Sequence, residues 1–157
     1  MSKLIIMCGV PGCGKSTWAR AFTANHNAIV ISRDAIRFSL LREEEDYFTH
    51  EEDVVKSFYQ QINDYLFSGE YEYIIADATH NTKKARNSML NRINREKAEG
   101  IILVDFSIDL KTCLEQNSRR SGREKVPEDV IRNMYKYFQK PDFDEKYEYN
   151  EIWHVRG

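Results

Sequence analysis

Cysteine and proline are scarce in this chain, three of each among 157 residues, and glycine is held to seven. Three thiols cannot all pair. The spacing of Cys8, Cys13 and Cys113 fits no zinc-binding pattern, so neither a disulfide framework nor a zinc ribbon is expected. Free thiols suit a reducing cytoplasmic setting. With so little Pro and Gly there is no linker-like stretch, and no internal repeat or low-complexity segment occurs, which predicts one domain over residues 1–157. No apolar run approaches the roughly 18 residues of a membrane span, so no membrane partner is expected. The first strand-like run begins almost at Met1, which predicts no signal peptide. A basic excess is missing too. The net charge of −2 argues against a global positive field that coats nucleic acid, and leaves a local basic groove open.

Against these absences stands one dense motif. Residues 9–16 read Gly-Val-Pro-Gly-Cys-Gly-Lys-Ser and fit the phosphate-binding pattern G-x-x-x-x-G-K-S/T without a mismatch. Gly9, Gly12 and Gly14 allow positive φ and close approach to a ligand. Successive backbone N–H groups, through Cys13, Gly14, Lys15, Ser16 and Thr17, then form an anion cradle. The Lys15 ammonium reaches the β- and γ-phosphates, and the Ser16 hydroxyl is a magnesium ligand. The apolar run Leu4 to Cys8 before the loop suits a buried parallel strand, and Ser16 to Phe22 after it suits a helix. Cys13 fills a variable loop position, where a thiol is a candidate oxidation-sensitive spot.

Strand and helix patterns alternate along the rest. Ala28–Ile31 reads as a strand, Asp34 to about Arg42 as a helix, and the acidic run Glu43 to Asp46 as a solvated loop. Thr49 and Glu52 make a capping box for a helix carrying Val54, Val55, Phe58, Ile62 and Leu66 on one face, closed by Gly69. Tyr73–Ala76 reads as a strand. Ala85, Met89 and Ile93 predict a helix from Thr82 to about Ala98, stopped by Gly100. Residues 101–106 form a further strand, and Asp109 caps the next helix. Pro127, Glu128 and Asp129 open another helix to about Gln139, and Tyr149–Val155 is the last strand. This alternation predicts an α/β fold with a parallel sheet, whose ligands bind beyond the carboxyl ends of the strands. Trp18 and Trp153 read as core.

Three features fall at such strand ends: the phosphate loop, Asp34 with Arg37, and Asp77. Phosphoryl transfer to a hydroxyl needs a group that orients the acceptor and takes its proton, and a strand-end carboxylate such as Asp34 can do both. Arg37, three residues on, lies on the same helical face, suited to an acceptor phosphate or to charge on the transferred group; a surface ion pair is the plainer alternative. Asp77 follows four mostly apolar residues, as an acid holding a magnesium-bound water near Ser16 does. Capping the next segment or positioning Lys15 are other uses for it. Thr79 and Asn81, in the same loop, are candidate substrate contacts, whereas His80 reads as a solvated loop histidine. Lys83, Lys84 and Arg86 either line a phosphate-rich groove or make a solvated helix start. Arg119, Arg120 and Arg123 surround Gly122 between two helices, suited to a lid in which one arginine stacks on a base and another reaches phosphates.

These residues together resemble the kinase domain of the bacteriophage 5′-hydroxyl polynucleotide kinases, within the P-loop kinase superfamily. The likeness rests on residues 9–20, on Arg33-Asp34 with Arg37, on Asp77-Ala78-Thr79-His80-Asn81, and on Asn117-Ser118-Arg119-Arg120 leading to Val126-Pro127. Asp129 to Arg132 and Met134 to Lys136 add to it. The resemblance implies a three-layer α/β/α P-loop kinase fold with a helical, arginine-containing lid at about residues 116–126. It implies ATP, or another nucleoside triphosphate, and Mg2+ as cofactors, and a polynucleotide 5′ end as acceptor. Lys15 and Ser16 then hold phosphates and magnesium, Asp34 is the general base, Arg37 contacts the acceptor phosphate or the transition state, and Arg120 contacts the nucleotide. The lid is one residue longer than the pattern before Pro127, which leaves Arg120 and Arg123 as alternatives. Asp142-Phe143-Asp144 echoes a phosphatase nucleophile motif, but Lys146 departs from it, and no phosphatase domain is expected. Two other functions fit the same residues: a kinase for a small-molecule hydroxyl such as a nucleoside or sugar, and a nucleotide-binding regulatory module without turnover.

Overall fold

The run Ser2–Cys8 forms strand β1, apolar throughout after Lys3 because both its faces are covered. A computed structural model describes every residue except 146, 148 and 157, together with all side chains but that of Arg123. After β1 come α1 (Lys15–Asn25), β2 (Ala28–Ser32), α2 (Arg33–Leu40), α3 (Glu51–Ser68), β3 (Tyr73–Asp77), α4 (Lys83–Arg92), β4 (Ala98–Asp105), α5 (Leu110–Ser118), α6 (Glu128–Lys136) and β5 (Glu151–His154). The five strands lie parallel in the order β2-β3-β1-β4-β5.

Side-chain alternation along β1 divides the interior into two layers. Leu4, Ile6 and Cys8 pack with Phe58, Ile62, Met89 and Leu90 from α3 and α4. Ile5 and Met7 pack with Ala19, Cys113 and Ile131 from α1, α5 and α6. The result is the expected α/β/α sandwich. Trp18 and Trp153 are only half-buried, in an aromatic group with Phe22 outside the fully sealed core. No described helix is long and apolar enough to cross a membrane.

Several sequence expectations move. His50, not Thr49, is the N-cap of α3, and it makes no side-chain cap bond, so the Thr49–Glu52 capping box does not form. Helix α4 stops at Arg92 rather than near Ala98. The Asn63 side chain, from α3, donates to the Arg92 carbonyl at 3.2 Å and accepts the Asn94 N–H at 2.8 Å. That tertiary clamp diverts the chain into a short 3-10 turn at Arg95–Lys97, and Gly100 then lies inside β4 instead of stopping a helix. Helix α6 ends at Lys136, before Gln139, and β5 spans only Glu151–His154. Gly69 closes α3 and Asp109 caps α5 as read, the Asp109 carboxylate accepting the Thr112 N–H at 2.9 Å.

Candidate active site

Parallel register brings the ends of the strands to one edge. Cys8 pairs with Asp105, and Ser32 with Asp77, so β1 through β4 stop at one level, where the phosphate loop leaves β1. The topology reverses beside β1, the place where open parallel sheets bind ligands.

The loop is shaped for an anion. Gly12 and Gly14 have φ of +85° and +96°. A Cβ on Gly12 would lie 2.4 Å from the Cys113 carbonyl oxygen, so the loop sits directly on α5. A Cβ on Gly14 would meet nothing within 4 Å, so the cradle is open above it. Helix α1 begins at Lys15 without a side-chain cap and without acidic residues in its first turn, leaving its positive end for a ligand. The Lys15 ammonium donates to the Gly9 carbonyl at 2.6 Å, and the Gly9 N–H donates to Thr79 O at 2.9 Å. Phosphate loop and Asp77 loop are thereby tied together. Ser16 and Thr17 are exposed at the start of α1. Cys13 is buried and contributes backbone only; burial pushes its thiol up, which makes it ill suited to the oxidation-sensitive role.

Asp77 closes β3 in this field. Burial raises its carboxyl above the ordinary range, the Lys15 charge lowers it, Asp34 raises it and Arg120 lowers it. The backbone ties that bring the Asp77 loop to this edge are the Ser32–Asp77 register of β2 with β3 and the Gly9–Thr79 hydrogen bond. Among the described residues no group of three or more His, Cys, Asp or Glu could hold a metal ion. A magnesium ion here would take most of its oxygen ligands from phosphate and water, the usual mode for Mg2+. The exposed Ser16 hydroxyl and the Asp77 carboxylate fit that need, and a cation between the phosphates and Asp77 would relieve the strain of its burial.

Asp34 stands in the first turn of α2, whose N-cap Ser32 accepts the Ala35 N–H at 3.1 Å. Its side chain is 57% exposed, open to an acceptor. Arg37 is buried and makes the ion pair with Asp34 that is the plainer alternative, together with a second one to Glu51. One terminal nitrogen donates to Asp34 at 2.5 Å and to the Tyr47 hydroxyl at 2.7 Å, and the other donates to Glu51 at 2.5 Å. Burial works against the Arg37 charge, but the Glu51 hydrogen bond, with Tyr47 and Asp34, holds the guanidinium above its ordinary range. Sequence reading missed Tyr47 and Glu51. Both lie beyond the acidic loop, and no spacing rule links them to Asp34.

His80 is buried with φ +42°, not solvated. Its Nδ1 lies 3.0 Å from the Met7 carbonyl, and burial pushes the imidazole down to about 3. Arg86 lines no groove: it is fully buried, donates twice to Glu145 at 2.9 Å and once to the His80 carbonyl at 2.8 Å. Lys83 pairs with Asp142 at 3.1 Å, and only Lys84 of the three is an open cation. Thr79 and Asn81 are half-buried beside Asp77, and the Asn81 carbonyl accepts the Gln139 N–H at 2.8 Å.

The arginine segment is pinned at its base. Asn117 donates to the Val126 carbonyl at 2.7 Å and accepts the Val126 N–H at 3.0 Å, closing residues 118–125 into a loop with a 3-10 turn at Gly122–Glu124. Arg120 is half-buried and donates to the Glu124 carbonyl at 3.4 Å, while the side chain of Arg123 lies outside the described residues. A groove of about 500 Å³ runs along this segment, lined by Asn117, Ser118, Gly122, Lys125 and Val126 among others. A second of about 250 Å³ opens beside Val10, Phe106 and Tyr135. Neither includes Lys15, Asp34 or Asp77, in keeping with a phosphate site that is an open cradle.

Sheet order, phosphate loop and strand-end carboxylates define a P-loop kinase fold. The chain belongs to the AAA domain family, whose model covers residues 4–141. It is 30% identical over 170 residues to the L-seryl-tRNA(Sec) kinase of Methanococcus maripaludis, which takes in 95% of this chain and 62% of that protein, so this chain spans less than two thirds of that relative. In structure it is similar to a chain of the Pnkp1/Rnl/Hen1 RNA repair complex, with a TM-score of 0.74 and 24% identity over 87% of this chain and 43% of the other. A sugar kinase from Janibacter sp. HTCC2649 is also similar, with a TM-score of 0.67 and 13% identity over 99% of this chain and 86% of the other. Family and fold together make the chain an AAA-family domain with the α/β P-loop kinase fold.

Proposed function

We propose that this chain transfers the γ-phosphoryl group of ATP to a 5′-hydroxyl at the end of DNA or RNA. The observation that carries the reading is the half-exposed Asp34 carboxylate in the first turn of α2, two residues past the Ser32 that pairs with Asp77. A protein that only binds nucleotide has no use for an acceptor-side base. Asp34 takes the proton of the acceptor hydroxyl as its oxygen bonds to the γ-phosphorus. The bond between that phosphorus and the bridging oxygen breaks, and ADP leaves with the electron pair. Lys15 and the loop N–H groups hold the phosphates, and Arg120, whose charge reaches Asp77, covers the nucleotide from the lid. Ser16 and, through water, Asp77 are the residues that would hold a magnesium ion, which when bound would neutralise charge at the phosphates. Thr79 and Asn81 line the acceptor side.

The similar proteins include a seryl-tRNA kinase, a chain of an RNA repair complex and a sugar kinase. A small-molecule hydroxyl is the second reading, favoured by the net charge of −2, which suits an extended polyanion less well. Labelled γ-phosphate from ATP, offered to 5′-hydroxyl DNA and RNA oligomers and in parallel to nucleosides and sugars, separates the two. Label on oligomers supports the first reading, and label on small molecules alone ends it.

A further inference from the structure

Around Asp34 the structure shows a closed triangle of hydrogen bonds. The Tyr47 hydroxyl accepts from Arg37 at 2.7 Å and donates to Asp34 Oδ1 at 2.6 Å, and Arg37 itself donates to the same Oδ1 at 2.5 Å. Oδ1 thus carries two donors, as many as its lone pairs accept. Oδ2 has no hydrogen-bond partner among the described residues, and the side chain is 57% exposed. The Arg37 guanidinium lies over the Tyr47 ring, 4.1 Å from its centre, so one side chain steadies both neighbours. We infer that Tyr47 is a positioning residue of the acceptor site, holding Asp34 so that Oδ2 is the oxygen that takes the acceptor's proton. This rests on the reading of Asp34 as the base.

Three further facts support it. Burial and the Asp34 carboxylate both raise the Tyr47 hydroxyl above its ordinary range, so it stays protonated and able to donate. Glu51 holds the other end of Arg37 at 2.5 Å, so the guanidinium cannot swing away with the carboxylate. An acceptor that approaches Oδ2 displaces no protein hydrogen bond among the described residues, whereas one approaching Oδ1 must displace one of the two donors there.

The test is a double-mutant cycle between Tyr47→Phe and Asp34→Asn in the full chain, with ATP and a 5′-hydroxyl DNA 20-mer. Tyr47→Phe removes one oxygen from a partly exposed residue, so melting temperature and ATP KM should stay as they are. Losing a hydrogen bond to a charged group should lower kcat about tenfold or more with little change in acceptor KM. In an Asp34→Asn background Tyr47→Phe should cost nothing further, because there is no base left to position. An unchanged kcat for Tyr47→Phe, or an equal loss in both backgrounds, overturns the inference while Asp34 stays the base. Unimpaired transfer by Asp34→Asn overturns the underlying reading and this one with it. If the unsubstituted chain labels no 20-mer but labels a nucleoside or sugar, the polynucleotide reading fails and the same cycle on that acceptor decides the role of Tyr47.

Discussion

The Arg86 guanidinium and the Glu145 carboxylate, both sealed from solvent, meet through two hydrogen bonds of 2.9 Å each. Two more guanidinium bonds reach the carbonyls of His80 and Gln139, and the Tyr149 hydroxyl donates to Glu145 at 3.1 Å. One ion pair therefore ties α4, the Asp77–Asn81 loop and the segment after α6 together.

Removing one partner leaves the other charged and buried. Arg86→Ala or Glu145→Ala should cost about 3–5 kcal/mol of stability, whereas replacing both by Met should cost much less. Urea denaturation of the three variants checks this, and equal losses in all three would rule out the pair as the cause.

Burial holds His80 at about 3, against an ordinary 6.5. The unfolded chain takes a proton near pH 6.5 and the folded chain does not, so this contribution to stability is complete above 6.5 and is lost as pH falls toward 3. The slope should approach about 1.4 kcal/mol per pH unit from this one group. His80→Asn tolerates the positive φ and does not titrate. Its stability, measured from pH 7 down to pH 4, should fall less steeply than that of the unsubstituted chain, and parallel curves would contradict the assignment.

Gly12 and Gly14 make different demands. Alanine at either position strains the backbone, but at Gly12 it also meets the Cys113 carbonyl at 2.4 Å, which backbone cannot yield cheaply. Gly12→Ala should lose both stability and at least tenfold in ATP affinity, and Gly14→Ala less of each. Thermal melts and calorimetric titration with a non-hydrolysable ATP analogue give the order directly.

Lys15→Ala should weaken ATP binding itself, because the ammonium is held over the loop at Gly9. Asp34→Asn should leave that binding intact and lower transfer by about 10²–10⁴-fold, the range of a positioned general base. Parallel binding and turnover measurements separate the two, and a loss of binding in Asp34→Asn would move that residue to the nucleotide side.

The P-loop and the strand-helix alternation were legible because they are local. Glycine spacing, an apolar run before the loop and a 3.6-residue period after it follow from backbone geometry alone. Asp34 and Asp77 could be placed at strand ends for the same reason, before either was seen to share a site. The misplaced boundaries have non-local causes. Asn63 ends α4 from 29 residues away, and nothing between Arg92 and Gly100 announces it. Arg86 read as a groove cation or part of a solvated helix start, because its partner lies 59 residues on. His80 read as solvated because a loop position says nothing of the packing above it.

By itself the sequence determined the chemistry on offer: a phosphate cradle, two strand-end carboxylates and a set of arginines. Tertiary structure alone decided how the arginines divide. It buried Arg37 against Asp34, Tyr47 and Glu51, sealed Arg86 against Glu145, and left Arg120 half-buried on the Glu124 carbonyl of its own loop. A guanidinium has the same charge and the same donors wherever it stands. Only the burial around it and the carboxylates that three-dimensional packing sets opposite decide whether it holds a fold together, orients another group or meets a ligand.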